Sequence, residues 1–374
     1  MILFVLGTRP EAIKLAPVIK AFREASVDVR VCTTGQHREM IEQMLRVFSV
    51  RVDYSLDLMK PNQSLFDITS EGLKLFGEVL GKCHTDMVIV QGDTTTALIG
   101  AMAAYYKKIP VAHVEAGLRS GDKYSPFPEE INRKLIGQIA DLHFAPTRLA
   151  ADNLAAEGIR NNVHIVGNTS VDALLWGIEL LQAGDDPSYE EKYLLSKDQK
   201  MILVTCHRRE SFGDPFQNIC AALRVIAHDY PDVEIIYPVH MNPRIWNVAL
   251  EELEWCMNIQ LVDPVGYLEM IWLLKRSYLV LTDSGGIQEE APVLGKPVLV
   301  MRDVTERVEG IEAGTARLVG TDETRIENEV DKLLTDQVEY EKMARAGSPY
   351  GDGKTSQRIL EHVLTYMKKG EPMQ

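Results

Sequence analysis

"YLVLTDSGGIQEEA", residues 278 to 291, decides the fold class. An apolar run of strand length ends in Thr-Asp, a Ser-Gly-Gly turn follows at once, and a helix opens behind it. A buried strand passing directly into a helix is the repeating unit of a parallel α/β sheet. Backbone N–H groups of Ser284, Gly285 and Gly286 at that helix start would form an anion site, and glycine permits close approach. Glu290, a turn further on, could accept hydrogen bonds from both hydroxyls of a ribose. Gly-Gly alone reads as a tight turn beside two solvated glutamates. With Ser and Glu at this spacing, nucleotide binding is the preferred reading.

The same alternation runs through the chain. Strands are expected in the first half at "ILFVLG", "VRVCTTG", "DMVIVQGD", "VAHVEAG", "LHFAPT" and "VHIVGN", with helices near residues 11–24, 37–47, 64–80, 95–107, 129–140 and 147–157. "MILVTCH", "VEIIYPVH", "IQLVDPV" and "PVLVMRD" continue the scheme around the opening stretch. Continuous Val/Ile/Leu runs separated by helices indicate parallel strands buried on both faces. The rhythm breaks once, in the polar stretch "QAGDDPSYEEKYLLSKDQK". The expected organisation is two doubly wound Rossmann-like domains, residues 1–168 and 169–354, with a C-terminal helix over about 355–374 packing back on the first. Ligands of open α/β sheets bind beyond the carboxyl ends of the strands, so an interdomain cleft is the expected site.

A chain of 374 residues fits two ordinary domains. A net charge of -14 without a Lys/Arg tract argues against nucleic-acid binding. Five scattered cysteines with no C-x-x-C pair read as thiols of a reducing compartment. "MILFVLGTRP" has no basic n-region, and no apolar run approaches the roughly eighteen residues of a membrane span. The expectation is a soluble cytoplasmic protein.

The remaining candidates follow strands. In "GTRPEAIK" Pro10 suits a first helical position, and Arg9 and Lys14 could present cations to a diphosphate, or be ordinary surface charges. "QGDTTTA" places Asp93 at a helix start, where an N-cap is the commoner role. "HVEAGLRSGDKYSPFPEEINR" sets Glu115, Glu129 and Glu130 around a loop, and Pro128 suits a helix opening whose dipole either glutamate would complement. "CHRRESFG" offers His207, Arg208 and Arg209 for phosphate recognition and a charge-neutralising or proton-donating role. His37 and His240, at strand ends, are candidates for ligand contact, whereas His113 and His143 read as core groups. Neither a Walker loop, G-x-G-x-x-G, H-E-x-x-H, D-x-D nor G-x-S-x-G occurs, so neither a metal nor acyl transfer is expected.

Together "GTRPEAIKLAPV", "TGQHREM", "QGDTTTA", "HVEAGLRS…SPFPEEINR", "CHRRESFG", "PVHMNP" and "TDSGGIQEEAP" resemble the bacterial and archaeal non-hydrolysing UDP-N-acetylglucosamine 2-epimerases, in order from residue 7 to beyond residue 300. The resemblance implies the GT-B fold, a homodimer, no cofactor, and interconversion of UDP-GlcNAc and UDP-ManNAc. It implies that Arg9 binds the UDP phosphates, that Ser284, Gly285, Gly286 and Glu290 hold phosphate and ribose, and that Lys14, Arg133 and His240 complete the substrate contacts. It places Asp93, Glu115, Glu129 and His207 around the reacting sugar. It also implies an allosteric UDP-GlcNAc contacting Gln43, Arg208 or Arg209, and His240. Regulated members of the family often carry Arg after "ITS", where this chain has Glu71, a residue that would repel a diphosphate.

The implied chemistry explains these residue types. The C2 proton of the sugar becomes removable only as UDP leaves C1 and positive charge builds there, giving a 2-acetamidoglucal that re-adds UDP. The reaction needs a base and an acid on opposite faces of C2, cations for the departing UDP, and exclusion of water. Carboxylates from neighbouring strand ends would meet the first need and push one another's pKa values apart. A GT-B glycosyltransferase, a hydrolysing epimerase and a nucleotide-sugar binding module are the rival readings.

Overall fold

Strands that are apolar on both faces survive only inside a sheet covered by helices on either side. The computed structural model, which describes residues 1–35, 38–58, 63–184, 188–196, 198–208 and 211–370, shows two such sheets. The chain divides into two compact units: Met1–Ala173 together with the segment from Tyr350 onward, and Leu174–Pro349.

The first unit carries β1 (Ile2–Leu6), β2 (Val29–Thr33), β3 (Tyr54–Ser55), β4 (Met87–Gln91), β5 (Val111–Val114), β6 (Leu142–Ala145) and β7 (Val163–Ile165). All pair in parallel in the order β3-β2-β1-β4-β5-β6-β7. The five side chains of β1 are wholly buried. At about 1.5–3 kcal/mol each, that strand alone contributes on the order of 10 kcal/mol of burial, before the entropy of ordering it.

The second unit carries β8 (Met201–Thr205), β9 (Glu234–Pro238), β10 (Ile259–Val262), β11 (Leu279–Thr282), β12 (Val298–Val300) and β13 (Ala316–Leu318), parallel in the order β10-β9-β8-β11-β12-β13. Both sheets are doubly wound, and the strand order reverses between β1 and β4 in one and between β8 and β11 in the other. Loops diverge at those points and leave a crevice beyond the strand ends.

Two strands were not expected from the sequence, β3 and β13. Each has two or three residues at a sheet edge, too short to show a period. The division of the chain falls between Ala173 and Leu174, inside the helix Thr169–Gly184 and later than the boundary expected after Asn168, and the chain rejoins the first unit at Tyr350 rather than at about residue 355. The helix Thr355–Gly370 packs on the helix Arg9–Glu24 of the first unit. Its start is fastened by Asp172, whose carboxylate accepts from the backbone N–H of Ser356 (2.7 Å) and Thr355 (3.3 Å). Among the described residues no helix is long and apolar enough to cross a membrane.

Candidate active site

In the first unit the loops after β1, β4 and β5 lie side by side because those strands are neighbours. Gly7 leaves β1 so tightly that a Cβ there would sit 2.3 Å from Thr96 Oγ1. Thr8 then caps the helix Arg9–Glu24 in a capping box with Glu11. Arg9 is the first helical residue and half-buried, and Pro10 follows it as the second.

Glu11 is the hidden brace of these loops. Its carboxylate is 1% exposed and accepts from Gly7 N (2.9 Å), Thr8 N (2.7 Å), Thr8 Oγ1 (2.8 Å) and Thr94 Oγ1 (2.7 Å). Burial pushes its carboxyl above the usual range, outweighing the hydrogen bonds that pull it down. Thr94, not Asp93, caps the helix Thr95–Tyr106, its hydroxyl accepting from Ala97 N at 3.1 Å. The N-cap role weighed for Asp93 is therefore corrected, and its carboxylate is left to other work.

Asp93 faces Arg133, whose guanidinium donates to it and also reaches Glu130 at 3.3 Å. Asn132 Nδ2 donates to the Asp93 carbonyl at 2.9 Å. Behind them His113 donates from Nε2 to the carbonyl of Gly92 (2.7 Å), which fixes a turn at positive φ of 70° before Asp93. Burial pushes the His113 pKa down to about 3, so the ring is a neutral part of the scaffold.

Glu115 leaves β5 at φ 63°, a left-handed conformation that costs a non-glycine residue roughly 1–2 kcal/mol. Such outliers gather at functional sites. Its carboxylate receives Lys14 Nζ on both oxygens, at 2.7 and 2.6 Å, and the Gln91 amide donates to one of them. Lys14, expected to serve a diphosphate, thus has its ammonium against Glu115.

The two glutamates at the start of the helix Glu129–Ile139 have separate fates. Pro128 occupies the N-cap and Glu129 the first helical position. Glu130 is fully buried, accepts Ser120 N at 3.0 Å, and meets Arg133 and Lys134. Glu129 is half-buried, and among the described residues its carboxylate has no partner.

In the second unit the loops after β8 and β11 meet across Asp283. This carboxylate is wholly buried, and its Oδ2 accepts the backbone N–H of His207 and of Arg208, both at 2.7 Å. The His207 ring is about half exposed, with Nδ1 3.4 Å from Asp283 Oδ1, and it stacks on His240 with centroids 6.1 Å apart. His240 Nδ1 accepts from Asn242 N at 3.1 Å. Ser284 caps the helix Gly285–Glu290 without a side-chain hydrogen bond, and its own N–H donates to Thr282 Oγ1 at 2.9 Å. The solvated glutamate pair weighed for this stretch is absent. Glu289 and Glu290 are both buried, Glu289 held by Arg307 at 2.9 Å. Gln43 is exposed on the helix Arg38–Val47, while Arg209 and His37 lie outside the described residues.

Sequence reading missed Glu11, Gln91, Asp283 and Arg307. Glu11 had a signal, the Thr-x-x-Glu spacing of a capping box in "TRPE". Asp283 had a weaker one, a charged residue ending an apolar strand. Arg307, whose guanidinium lies 3.4 Å from where a Gly285 Cβ would stand, arrives from a separate loop and had none.

Comparison with known proteins agrees with this geometry. A sequence profile of the family described as UDP-N-acetylglucosamine 2-epimerase matches residues 20–364. The UDP-N-acetylglucosamine 2-epimerase of Escherichia coli K12 is 51% identical over 365 residues, spanning 96% of this chain and 97% of its own. The crystal structure of the Neisseria meningitidis UDP-GlcNAc 2-epimerase bound to UDP-GlcNAc superposes with a TM-score of 0.91 at 43% identity, covering 97% and 99% of the two chains. The Methanocaldococcus jannaschii UDP-GlcNAc 2-epimerase, in complex with UDP-GlcNAc and UDP, gives 0.81 at 36% identity, covering 98% and 99%. With two doubly wound parallel sheets of this order the fold is GT-B, and the chain belongs to the UDP-N-acetylglucosamine 2-epimerase family.

Proposed function

We propose that this protein interconverts UDP-GlcNAc and UDP-ManNAc by eliminating UDP and adding it back, without hydrolysis and without a cofactor. In the forward direction a carboxylate takes the C2 proton, the C1–O bond to UDP breaks, and a C1=C2 double bond forms. Re-addition returns UDP to C1 while C2 receives a proton on the opposite face. The supporting observation is the set of carboxylates at one end of the first sheet. Asp93 and Glu115 leave adjacent strands, and Glu129 leads the helix whose Arg133 meets Asp93. In this reading those three exchange protons with the sugar. Lys14 and Arg133 hold two of them in place, Arg9 and His207 balance the charge of departing UDP, and Ser284, Gly285, Gly286, Glu290 and His240 hold the nucleotide.

Incubation with UDP-GlcNAc in deuterated water tests this. Deuterium at C2 of both recovered nucleotide sugars is the expected result. Free ManNAc would indicate a hydrolysing enzyme, acceptor-dependent transfer a glycosyltransferase, and absence of exchange a binding module. Activation by a second UDP-GlcNAc is read from the same reaction started on UDP-ManNAc alone. A lag removed by added UDP-GlcNAc supports it, and a linear start, which Glu71 favours, excludes it.

The reading extends to a cytoplasmic homodimer serving polysaccharide synthesis. Free thiols at all five cysteines fit a reducing compartment. Phe66, Tyr106 and Leu135 expose apolar side chains on three helices of the first unit, the middle one packed on both others, and a second copy docked on these helices would cover apolar side chains that are exposed in the single chain. Sedimentation at micromolar concentration decides the oligomeric state.

A further inference from the structure

We infer that Asp283 is the positioning residue of His207: it holds the free imidazole in the Nδ1–H tautomer and leaves Nε2 as the nitrogen that takes up a proton, so that the imidazolium formed faces the ligand with Nε2–H. This rests on the proposed role of His207 at the departing UDP, but its central measurement does not.

The two oxygens of Asp283 have different surroundings. Oδ2 takes two backbone N–H groups, His207 and Arg208, so it is committed as an acceptor. Oδ1 is buried, and among the described residues no donor meets hydrogen-bond geometry with it. The Cys206 thiol, a weak donor, lies alongside, its pKa raised well above the usual range first by burial and then by the Asp283 charge. The nearest strong donor is His207 Nδ1 at 3.4 Å, too distant for a good hydrogen bond and close enough for a small ring rotation to make one. Catalytic hydrogen bonds are often long before the ligand arrives. A buried carboxylate oxygen with an open lone pair is costly, and Nδ1–H is the group positioned to fill it. The backbone arrangement adds direction. Because the N–H of His207 itself donates to the same carboxylate, the residue is pinned at its main chain, and side-chain rotation is the remaining freedom.

A substitution follows from this asymmetry. In Asp283→Asn the side-chain oxygen must stay with the two backbone N–H groups, because an amide nitrogen there would face two donors. The amide NH2 then points at His207 Nδ1, which can only accept. The tautomer inverts to Nε2–H, and an imidazolium no longer fits. The same logic explains the loss of activity when the aspartate of a Ser-His-Asp triad becomes asparagine.

Nitrogen-15 NMR of histidine-labelled full-length protein reads the tautomer directly, with the His207 signal assigned by its loss in His207→Gln. The expected result is Nδ1–H in the wild type and Nε2–H in Asp283→Asn. Wild-type His207 in the Nε2–H form overturns the inference without any variant, which covers the case in which Asp283→Asn fails to fold. An unchanged tautomer in a folded Asp283→Asn also overturns it. In the exchange assay Asp283→Asn should lose ~100-fold in kcat, because a ring whose Nδ1 accepts from the Asn amide cannot also take up the proton that makes it an imidazolium beside departing UDP, with KM within about threefold of wild type. A rise in KM at constant kcat overturns the positioning role. Should the wild type fail to epimerise UDP-GlcNAc, the proposed function falls, while the tautomer measurement still decides the Asp283–His207 relation.

Discussion

The pair Lys14–Glu115 offers the sharpest test, because stability and chemistry separate there. Lys14 Nζ meets both carboxylate oxygens, and the side chains are only 14% and 5% exposed. Removing one member of such a pair leaves a buried charge without its counter-ion, at a cost of about 3–5 kcal/mol. In Lys14→Met the Gln91 amide still donates to Glu115, so the lower end, about 3 kcal/mol, is expected. Glu115→Gln leaves a lysine with a partial route to solvent, about 1.5 kcal/mol. The double variant Lys14→Met/Glu115→Gln removes both charges of the pair and sets a second neutral amide beside Gln91, and should also cost about 1.5 kcal/mol. The singles therefore sum to about 4.5, and the pair carries roughly 3 kcal/mol of coupling.

Urea unfolding followed by circular dichroism measures these values. Tryptophan emission is the internal control, since Trp176, Trp246, Trp255 and Trp272 all lie in the second unit. A double variant whose loss equals the sum of the singles within about 0.5 kcal/mol would refute the coupling. Activity should behave differently. All three variants should lose C2 exchange by about 100-fold or more, because Lys14→Met disturbs the carboxylate and the others remove it. Recovered stability without recovered activity is the signature of a functional pair, and wild-type exchange in Lys14→Met would refute that assignment.

Glu129→Gln should abolish exchange yet change unfolding free energy by less than about 0.5 kcal/mol, since no partner is lost; full activity in that variant would remove Glu129 from the mechanism. Glu130→Leu should do the reverse in stability, costing about 2–3 kcal/mol by stranding the Ser120 N–H and taking from Arg133, which keeps Asp93, one of its two carboxylates, as calorimetry would show. Acid stability should report the buried histidines. Burial depresses the pKa of His113 to about 3 and of His143 to about 4, so the stability they allow is present above the unfolded value near 6.5 and is lost as pH falls toward those values. Each should contribute a slope of about 1.4 kcal/mol per pH unit in that window, roughly 2 kcal/mol at pH 5. His113→Gln should flatten its share of the slope in urea titrations at pH 7, 6 and 5.

The sheet was legible because its strands are buried on both faces, which forces an unbroken apolar run for β1, β4, β8 and β11. β3 and β13 were not, because pairing at an edge needs only two or three residues with no pattern of their own. The same divide runs through the candidate residues of each unit. Asp93, Glu115 and Ser284 follow strands directly, so a local reading reaches them. Lys14 could be seen as a cation but not as the partner of a residue 101 positions later, since that pairing is made by β1 lying beside β4 and β4 beside β5. Glu129 and Glu130 are equivalent to dipole arguments, and only the position of Ser120 N–H, Arg133 and Lys134 separates them.

That separation generalises to the acidic groups at the strand ends. Glu11 accepts backbone N–H groups of the turn it caps, Glu130 and Asp283 accept them from other loops, and each of the three is wholly or almost wholly buried. A carboxylate used this way cannot release its donors without opening the loop, so it is a poor proton shuttle and a good brace. Asp93 and Glu115 are instead held by the side chains of Arg133, Lys14 and Gln91, and Glu129 has no described partner. Side-chain donors can swing away or share when a sugar arrives, and backbone donors cannot. The division explains why an acidic site of this density remains folded. The braces are held by the main chain or by fixed cations, and the like-charge repulsion that remains is confined to the groups to which the proposed function gives the proton transfers.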